Sequence, residues 1–319
     1  MKSFPWKIVG FVAVGLAVIV GVFWLKPATS KDPVAGSVNP AFGEYISSYT
    51  AGIVGSGSAI RIVLAQAPAD SVALGESGVK LFDFSPSVQG TMIWLDQRTV
   101  EFRPESRLSS GLVYEAEFQL SKLIEDLPSD LRNFKWSFQV LPQNFELTIN
   151  NVKPYVKTEL KRQMIEGVLQ TADFAEEQNV EQMLTANQEG TTLKVTWTHT
   201  GEGKEHRFVV EDVSRKDSPS QVTLSVSGQP LGVDHTVDEQ VEVAALGDFK
   251  VTNIRVEQGS SQAVVIQFSD PLNETQNLSG LINLTELPDL DFEVKDNEIR
   301  VFPPVRQTGS RTLTVEAGV

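Results

Sequence analysis

Apolar and polar residues alternate along most of the chain. In the stretch 84–120, Met92 and Trp94 form one inward-facing pair, and Val100 and Phe102 form a second pair on the following strand. A period of two is typical of half-buried β-strands, because successive side chains in a strand point to opposite faces. The pattern therefore predicts sheet structure here, with Trp94 and Phe102 in its core.

The same layout of strands and turns recurs near the C-terminus. Asp96, Phe102 and Pro104 have counterparts of the same residue type further along the chain. The counterparts, at one offset of 200 residues, are Asp296, Phe302 and Pro304. Many short strands at even spacing are typical of β-sandwiches. We therefore expect an all-β protein built of tandem Ig-like β-sandwich modules, preceded by one transmembrane helix.

Turns and shifts in composition divide the sequence into five segments. These are a membrane signal anchor at 1–26, a flexible tether at 27–41, a first sandwich at 42–142, a second at 143–247 and a third at 248–319. The last repeat is shorter than the first, so we expect the third sandwich to be incomplete and the chain to be a fragment. Within the second segment, the capping residue and apolar spacing of 173–184 predict a helix.

The stretch 8–25 is apolar apart from its glycines. At ~1.5 Å per residue, a helix of this length extends for about 27 Å, just enough to cross a bilayer. Trp6 and Trp24 lie at its ends, where aromatic residues of membrane spans concentrate. A cleaved signal peptide is the alternative, but it would have a shorter apolar core and a small-residue cleavage site. We predict an uncleaved signal anchor.

Charge and cysteine content exclude several classes of partner and site. The chain of 319 residues has a formal net charge of −14 and no cysteine. A surface this acidic repels phosphate backbones, so we expect no nucleic-acid partner. Without cysteine there can be no disulfide, thiolate zinc site, cysteine nucleophile or lipid-modified cysteine within these residues.

Motifs for catalysis are absent from the sequence. There is no GxSxG elbow, HExxH pair, Walker A loop or dinucleotide fingerprint after a strand. The glycine-rich segment 52–57 precedes strand residues and not a helix, which predicts a plain loop. We therefore predict no catalytic residue, no cofactor and no metal ligand here, and we expect that the chain is not an enzyme.

The histidines are the strongest candidates for a metal site. His199 and His206 flank the short turn at 201–203, and they could approach one another across a hairpin together with Glu202 and Glu205. Exposed hairpin histidines are far commoner than metal ligands, so we interpret both as exposed.

His235 lies beside Asp234 and Asp238 in a predicted turn, and the same interpretation applies to it.

Two other groups of residues have a structural and a functional interpretation. The acidic pairs at 176–177 and 289–291 could bind calcium between exported modules, but no DxDxDG loop accompanies them, so we interpret them as solvated. Trp94, Trp136 and Trp197 occupy inward strand positions, which favours core packing over ligand stacking.

Four segments of the sequence resemble the N-terminal region of bacterial alpha-2-macroglobulins. They are ISSYTAGIV at 46–54, FSPSVQGTMIWLDQRTVEFRP at 84–104, KVTWTHTGEGKEHRFVVEDVSR at 194–215 and IQFSDPLNETQNLSGLINL at 266–284. The resemblance extends over about residues 42–319. It implies stacked, macroglobulin-type Ig-like modules within a larger, exported and membrane-anchored protein that traps proteases after cleavage of a bait segment. Many members carry a Cys–Gln thioester, which these cysteine-free residues cannot form, so no site residue is transferred.

The sequence and this resemblance together predict the N-terminal scaffold of an envelope-anchored protease inhibitor. Its expected partners are target proteases through downstream regions, later modules of the same chain, and a membrane through residues 8–25. The expected location is the bacterial cell envelope, anchored in the inner membrane with the modules in the periplasm or outside. The alternative is a surface adhesin or spacer built of Ig-like repeats, with no protease role.

Overall fold

The computed structural model describes residues 38–69, 72–285 and 287–319. Within these ranges the chain is all-β, and its sheets pack against each other as tandem sandwiches, which confirms the predicted class. The predicted anchor at 1–26 and most of the predicted tether lie outside the described residues. In the described part, no helix has the length and apolar character that a membrane span requires.

The described residues of the first sandwich form nine strands. They are β1 (Ile46–Tyr49), β2 (Gly52–Val54), β3 (Ile60–Leu64), β4 (Gly75–Glu76), β5 (Phe82–Ser85), β6 (Gly90–Trp94), β7 (Thr99–Pro104), β8 (Val113–Phe118) and β9 (Phe134–Val140). A five-stranded sheet, β1-β3-β7-β6-β4, faces a four-stranded sheet, β2-β9-β8-β5. Strand β2 pairs parallel with β9, whereas β8 pairs antiparallel with both of its neighbours. Short 3-10 turns are Pro40–Glu44, Leu120–Lys122 and Ser129–Leu131.

The core of the first sandwich follows the alternation of its sequence. Trp94 and Phe102 are 4% and 8% exposed, which confirms the predicted inward face. The ring of Phe102 packs 6.0 Å from that of Phe82 on the opposite sheet. The inward-facing residues of both sheets meet in one apolar cluster. The alternation of apolar and polar residues in the sequence therefore corresponds to two sheets that pack face to face.

The second sandwich has two four-stranded sheets, β10-β11-β15-β14 and β13-β12-β16-β17. Its elements are β10 (Phe145–Val156), β11 (Glu159–Thr171), α1 (Glu177–Glu181), β12 (Leu184–Gln188), β13 (Thr191–Leu193), β14 (Val195–His199), β15 (Glu205–Ser214), β16 (Ser220–Ser227), a 3-10 turn (Gln229–Leu231) and β17 (Thr236–Val243). The longest pairing joins β10 to β11, and it continues from β11 into β15.

The predicted helix at 173–184 is wrong in extent. Only Glu177–Glu181 is α-helical, and strand β12 already begins at Leu184. Glu176, not Asp173, holds the N-cap position, and its side chain makes no capping hydrogen bond. The carboxylate of Asp173 is instead bonded to the backbone of the first sandwich, so the residue that suggested a cap has another partner.

The third sandwich is smaller. Its strands are β18 (Val251–Gln258), β19 (Gln262–Phe268), β20 (Ile282–Leu284), β21 (Asp291–Lys295), β22 (Glu298–Phe302) and β23 (Leu313–Val315). A four-stranded sheet, β18-β19-β22-β21, faces the described pair β20-β23. Its apolar cluster is built around Ile266, Phe268 and Ile299, with many half-buried residues at its margin.

The first and third sandwiches share one strand order. β1-β3-β7-β6 corresponds to β18-β19-β22-β21, in agreement with the predicted repeat. The inward pair Trp94–Val100 corresponds to Val294–Ile299, so the turn of the third sandwich is one residue shorter.

The shorter turn corrects part of the predicted alignment. Beyond it the offset of 200 fails: the counterpart of Phe102 is the buried Val301 and not the half-buried Phe302. A shift of one residue in a strand exchanges its two faces, so the wrong residue had been placed inward.

Candidate functional site

The most elaborate polar chemistry of the described residues lies where one sandwich meets the next. We call the contact between the first and second sandwiches the Asp173 joint (Ser56, Arg107, Gln143, Asp173 and Phe174). We call the contact between the second and third sandwiches the Arg215 joint (Asn151, Arg215, Ser269, Asp270 and Asn297).

Asp173 follows β11 and is buried against the first sandwich. Its Oδ2 accepts a hydrogen bond of 2.6 Å from the backbone N–H of Ser56, and its Oδ1 accepts one of 2.8 Å from the N–H of Phe174. Burial raises the pKa of Asp173, but these hydrogen bonds, helped by Lys204, outweigh burial and hold the pKa below its usual value. The carboxylate therefore stays ionised and fixes the loop at Ser56.

The glycine-rich segment 52–57 is the surface on which Asp173 docks. The predicted plain loop is only partly right, since Gly52–Val54 forms β2 and the residues after it are a turn. A Cβ on Gly57 would lie 2.7 Å from Nη1 of Arg107, whose guanidinium carbon stands 3.5 Å from the centroid of the Phe174 ring. The absence of a side chain at Gly57 thus leaves room for the Arg107 guanidinium, which contacts Phe174 of the second sandwich.

Gln143, in the connection between the first two sandwiches, completes the Asp173 joint. Its side-chain amide donates to the carbonyl oxygens of Asp173 and Phe174, each at 3.1 Å. Its Oε1 accepts from the N–H of Asp173 at 3.0 Å, and its own N–H donates to Oγ of Ser110 at 2.6 Å. The connection is therefore hydrogen-bonded to both sandwiches and cannot act as a free hinge.

Arg215 is the centre of the second joint. Its side chain is 0% exposed and forms a bidentate ion pair with Asp270, with N–O distances of 2.8 and 2.9 Å. The remaining N–H groups donate to backbone carbonyl oxygens of Ala244, Ala245, Asp248 and Ser269. All five donors of the guanidinium are satisfied, as a buried charge requires.

The carboxylate of Asp270 is matched to this cation. Burial raises its pKa, but hydrogen bonds from Arg215 and Ser269 lower it by more, so the pKa of Asp270 lies below its usual value. Because Arg215 belongs to the second sandwich and Asp270 to the third, the ion pair joins them with a fixed geometry.

A pair of buried amides extends the Arg215 joint. Asn151 and Asn297 each donate from Nδ2 to Oδ1 of the other, at 3.0 and 3.1 Å. Asn297 is 0% exposed, and it also donates to the carbonyl oxygens of Val152 and Phe268 at 2.9 and 2.7 Å. One asparagine thus contacts the backbone of both sandwiches.

Further charged side chains lie beside this amide pair, some half-buried and some largely exposed. Arg255 donates to the carbonyl oxygen of Asn150 at 3.3 Å and to Oε1 of Glu298 at 3.2 Å. Lys157 of the second sandwich pairs with Glu274 and lies 3.5 Å from Asp296 of the third. The joint therefore has a satisfied polar interior with further ion pairs around it.

The histidine pair is only partly as predicted. His199 and His206 do meet, with their Nδ1 atoms 2.8 Å apart, but the side chain of His199 is only 9% exposed and His206 is 0% exposed, so the interpretation of both as exposed residues is wrong. The alternation of β15 puts His206 on the same inward face as Phe208. Burial, and secondarily the charge that His199 would carry, lower the pKa of His206.

The acidic residues expected near these histidines do not join them. Glu205 pairs with Arg207 at 2.9 Å, and the carboxylate that reaches Nε2 of His199, at 3.3 Å, belongs to Glu181. Among the described residues no group of three or more His, Cys, Asp or Glu side chains is arranged to hold a metal ion.

The other candidate residues have structural contacts. His235 stacks on Phe145 with ring centroids 4.6 Å apart. Trp136 lies in the core and donates from Nε1 to the carbonyl oxygen of Thr50 at 2.8 Å, while Trp197 is half-buried and packs on Phe208. Glu176, Glu177, Asp289 and Asp291 are all exposed, in agreement with their interpretation as solvated residues.

Sequence reasoning missed the residues of both joints. Arg215 and Asp270 are 55 residues apart and each follows a strand, where charged residues are ordinarily solvated. The one feature of the sequence that could have pointed to these two residues was the family resemblance described above. Two of its four segments, 194–215 and 266–284, contain the two members of this ion pair.

Comparisons with known proteins give only remote similarities. No family model matches the chain, and a search of curated proteins found no significant match. Among solved structures, the chain is similar to the ectodomain of mouse nectin-like molecule 4 (12% identity, 84% of this chain, 98% of that chain, TM-score 0.27). It is also similar to domains 4–9 of the surface layer protein SbsC (11% identity, 86% of this chain, 46% of that chain, TM-score 0.35). At these scores neither similarity carries an argument about function.

Proposed function

We propose that the described part of this protein is a non-enzymatic spacer, in which β-sandwiches are locked to one another and hold other parts of an assembly at a distance from a membrane. The observation that carries this proposal is the Arg215 joint. A flexible connection between modules needs no buried charge, whereas Arg215 is wholly buried and satisfied only in one arrangement of the second and third sandwiches. A buried ion pair is weak evidence for stability by itself, so we infer that this one serves to fix the geometry of the joint.

The Asp173 joint supports the same proposal. Gln143 and Asp173 hydrogen-bond to the connection and to the glycine-rich loop, so the first sandwich is also held against the second. Two successive joints of this kind suit a rigid rod and do not suit a flexible tether. The predicted anchor at 8–25 would place this rod at a bacterial cell envelope.

Distance measurements between the outer sandwiches test the spacer. Because the chain has no cysteine, spin labels on introduced Ser48→Cys and Ser310→Cys would be unique. We expect a narrow distribution of distances between the labels, which broadens when Arg215→Ala is added. Arg207→Ala is the matched control, since its ion pair with Glu205 is largely exposed, and it should leave the distribution narrow. A distribution that is already broad without Arg215→Ala would refute a rigid spacer.

A second candidate is the scaffold of an alpha-2-macroglobulin-like protease trap. This candidate rests on the sequence resemblance, and two of the resembling segments, 194–215 and 266–284, contain Arg215 and Asp270 of the joint. In this proposal the spacer positions bait and trapping regions that lie outside these residues.

Mixing the full-length protein with an attacking protease tests the trap. We expect cleavage at one preferred site, after which the protease loses activity on large protein substrates and keeps it on small peptides. If the protease retained full activity on large substrates and cut the protein at no preferred site, the trap proposal would be refuted and the spacer proposal would remain. The mass of the mature N-terminus would test the uncleaved anchor separately.

A further inference from the structure

The histidine pair on strands β14 and β15 lies next to the Asp173 joint. We propose that His199 and His206 form a proton-sensitive switch, in which charging both imidazole rings separates them and loosens the first sandwich from the second. The switch goes beyond a spacer of fixed shape, because it makes one of the two joints respond to mild acid. It depends on the Asp173 joint and not on what the sandwiches do.

Strand pairing brings the two rings together. His199 and His206 lie directly opposite one another in the ladder of β14 and β15, and their Nδ1 atoms are 2.8 Å apart. A contact of this length between two ring nitrogens is a hydrogen bond, which requires one N–H and one lone pair. The two Nδ1 atoms therefore share a single proton.

The outer ring nitrogens determine how much charge the pair can hold. Nε2 of His199 lies 3.3 Å from Oε1 of Glu181, and since a carboxylate only accepts, this Nε2 carries a proton. If Nε2 of His206 is protonated as well, the pair holds one positive charge and keeps its hydrogen bond. A second charge would place an N–H on both Nδ1 atoms, so repulsion would replace the hydrogen bond.

Burial makes a positive charge especially unfavourable at His206. This residue is 0% exposed, it lies between Leu169 of β11 and His199 in the sheet, and its Nε2 is a buried atom without a hydrogen-bond partner among the described residues. Burial is the main cause that lowers the pKa of His206, and the charge of His199 adds to it. The backbone of Gly203 and the charge of Glu177 act weakly in the opposite direction.

Charged side chains around the pair do not offset this cost. On the surrounding elements they are Glu176, Glu177 and Glu181 at α1, Glu202, Lys204, Glu205 and Arg207 on the hairpin of β14 and β15, and Asp173 after β11. Glu205 pairs with Arg207, and Lys204 lies 3.9 Å from Asp173. Glu181 contacts His199, but its own side chain is 52% exposed. It can compensate one charge in part, and it does not contact the second ring.

The end of the hairpin that carries the pair is bonded to the Asp173 joint. The carbonyl oxygen of Gly203 accepts a hydrogen bond of 2.8 Å from the N–H of Ala175. The carbonyl oxygen of Lys204 accepts one of the same length from the N–H of Thr171. These two donors flank Asp173 in sequence, so movement of the hairpin end would displace the segment that holds the first sandwich.

A fall in pH should open this joint. The pKa of His206 is lowered while the ring is buried, and it returns toward the ordinary histidine value of about 6.5 once the ring is exposed. The open arrangement therefore binds one more proton. Each unit of pH below about 6.5 should favour it about tenfold, until the pH reaches the lowered pKa of the buried ring. This range lies above the ordinary aspartate pKa of about 4.

Distances measured across each joint separately test the switch. In the full chain, spin labels on Ser48→Cys and Gln221→Cys span the Asp173 joint, and labels on Gln221→Cys and Ser310→Cys span the Arg215 joint. All three positions are exposed. Distributions are recorded at about pH 7.5 and about pH 5, on either side of the ordinary histidine pKa. We expect the first distribution to broaden at the lower pH and the second to stay narrow.

Histidine variants assign the response to the pair. His206→Gln and His206→Phe remove the buried titrating ring, so the first distribution should stay narrow at both pH values. His235→Gln is the matched control, since this exposed histidine stacks on Phe145 and lies outside the pair, and it should leave the response intact. Should neither His206 variant fold, ring ¹⁵N chemical shifts of the unmodified chain decide: His206 should become charged only over the pH range in which the distribution broadens.

Equal distributions at the two pH values would overturn the switch. Broadening that persists without His206, or a His206 ring that becomes charged while the joint stays narrow, would also overturn it. So would equal broadening of both joints, because acid would then loosen the sandwiches in general. The spacer is judged at neutral pH alone, so the two proposals can fail separately.

Discussion

Arg215 and Asp270 form a bidentate ion pair across the boundary between the second and third sandwiches, with the guanidinium entirely shielded from solvent. A charge in such a place is tolerated only when each of its donors has a partner. Backbone carbonyl oxygens of both sandwiches provide those partners, including Ala245 and Ser269. The hydrogen-bond donors of Arg215 are therefore all satisfied only when the two sandwiches keep this relative orientation.

Removing this cation should destabilise the protein strongly. Arg215→Met leaves Asp270 as an uncompensated buried charge, which we expect to cost ~3–5 kcal/mol in the free energy of unfolding, measured by urea denaturation. Arg207→Met, in an exposed ion pair, should cost no more than ~1 kcal/mol. In the double variant with Asp270→Leu, much of the loss should be recovered. An Arg215→Met protein as stable as the Arg207→Met control would contradict the buried pair.

Stability should also fall at acidic pH, because two joint carboxylates have depressed pKa values. The pKa values of Asp173 and Asp270 are lowered in the folded state. Their contribution to stability is therefore complete above the ordinary aspartate pKa, ~3.9, and is lost as the pH falls through the folded-state pKa.

Urea midpoints between neutral and strongly acidic pH would measure this loss. Asp173→Asn should make the decline below about pH 4 shallower, since this side chain no longer titrates. A decline of the same steepness in the Asp173→Asn variant would show that Asp173 does not contribute to it.

Much of the fold was predictable because burial in a sandwich repeats every second residue. Alternation identified the inward positions of Trp94 and Phe102, and the recurrence of the pattern identified the third sandwich as a relative of the first. The alignment of the third sandwich with the first failed beyond Asp296, because the turn after β21 is one residue shorter than the turn after β6. A shift of one residue places the opposite set of side chains on the inward face of β22, and the residue types in the strand do not reveal it.

The joints were not predictable on the same basis. Arg215, Asp270 and Asn297 are polar residues next to strand ends, which is where solvated residues ordinarily occur. These residues are buried because one module docks against another. The periodicity of apolar residues within a strand does not indicate which surfaces of two modules come into contact. Asp173 shows the same limit: its sequence context indicated a helix cap, yet its partner is Ser56, 117 residues away.

Glycines on the β14–β15 turn offer a paired test of the Asp173 joint. A Cβ on Gly203 would lie 2.4 Å from Cδ2 of Phe174, and Gly203 has a positive φ of 61°. Gly203→Ala should therefore displace Phe174 and destabilise the protein by ~1–3 kcal/mol. Gly201→Ala, two residues away with nothing within 4 Å of its Cβ, should have little effect. Equal urea midpoints for the two variants would mean that Phe174 is not held at this turn.

Core truncation in the first sandwich tests the inward face on which the repeat is based. Trp94 is 4% exposed and Phe102 is 8% exposed, and both lie in the same apolar cluster. Trp94→Ala or Phe102→Ala should cost ~3–5 kcal/mol in the free energy of unfolding, because each leaves a large cavity that the surrounding sheets cannot close. Leu95→Ala, at a neighbouring residue that is 40% exposed, should cost far less. Urea denaturation followed by circular dichroism would measure all three, and wild-type stability in either core variant would mean that the strand faces are assigned wrongly.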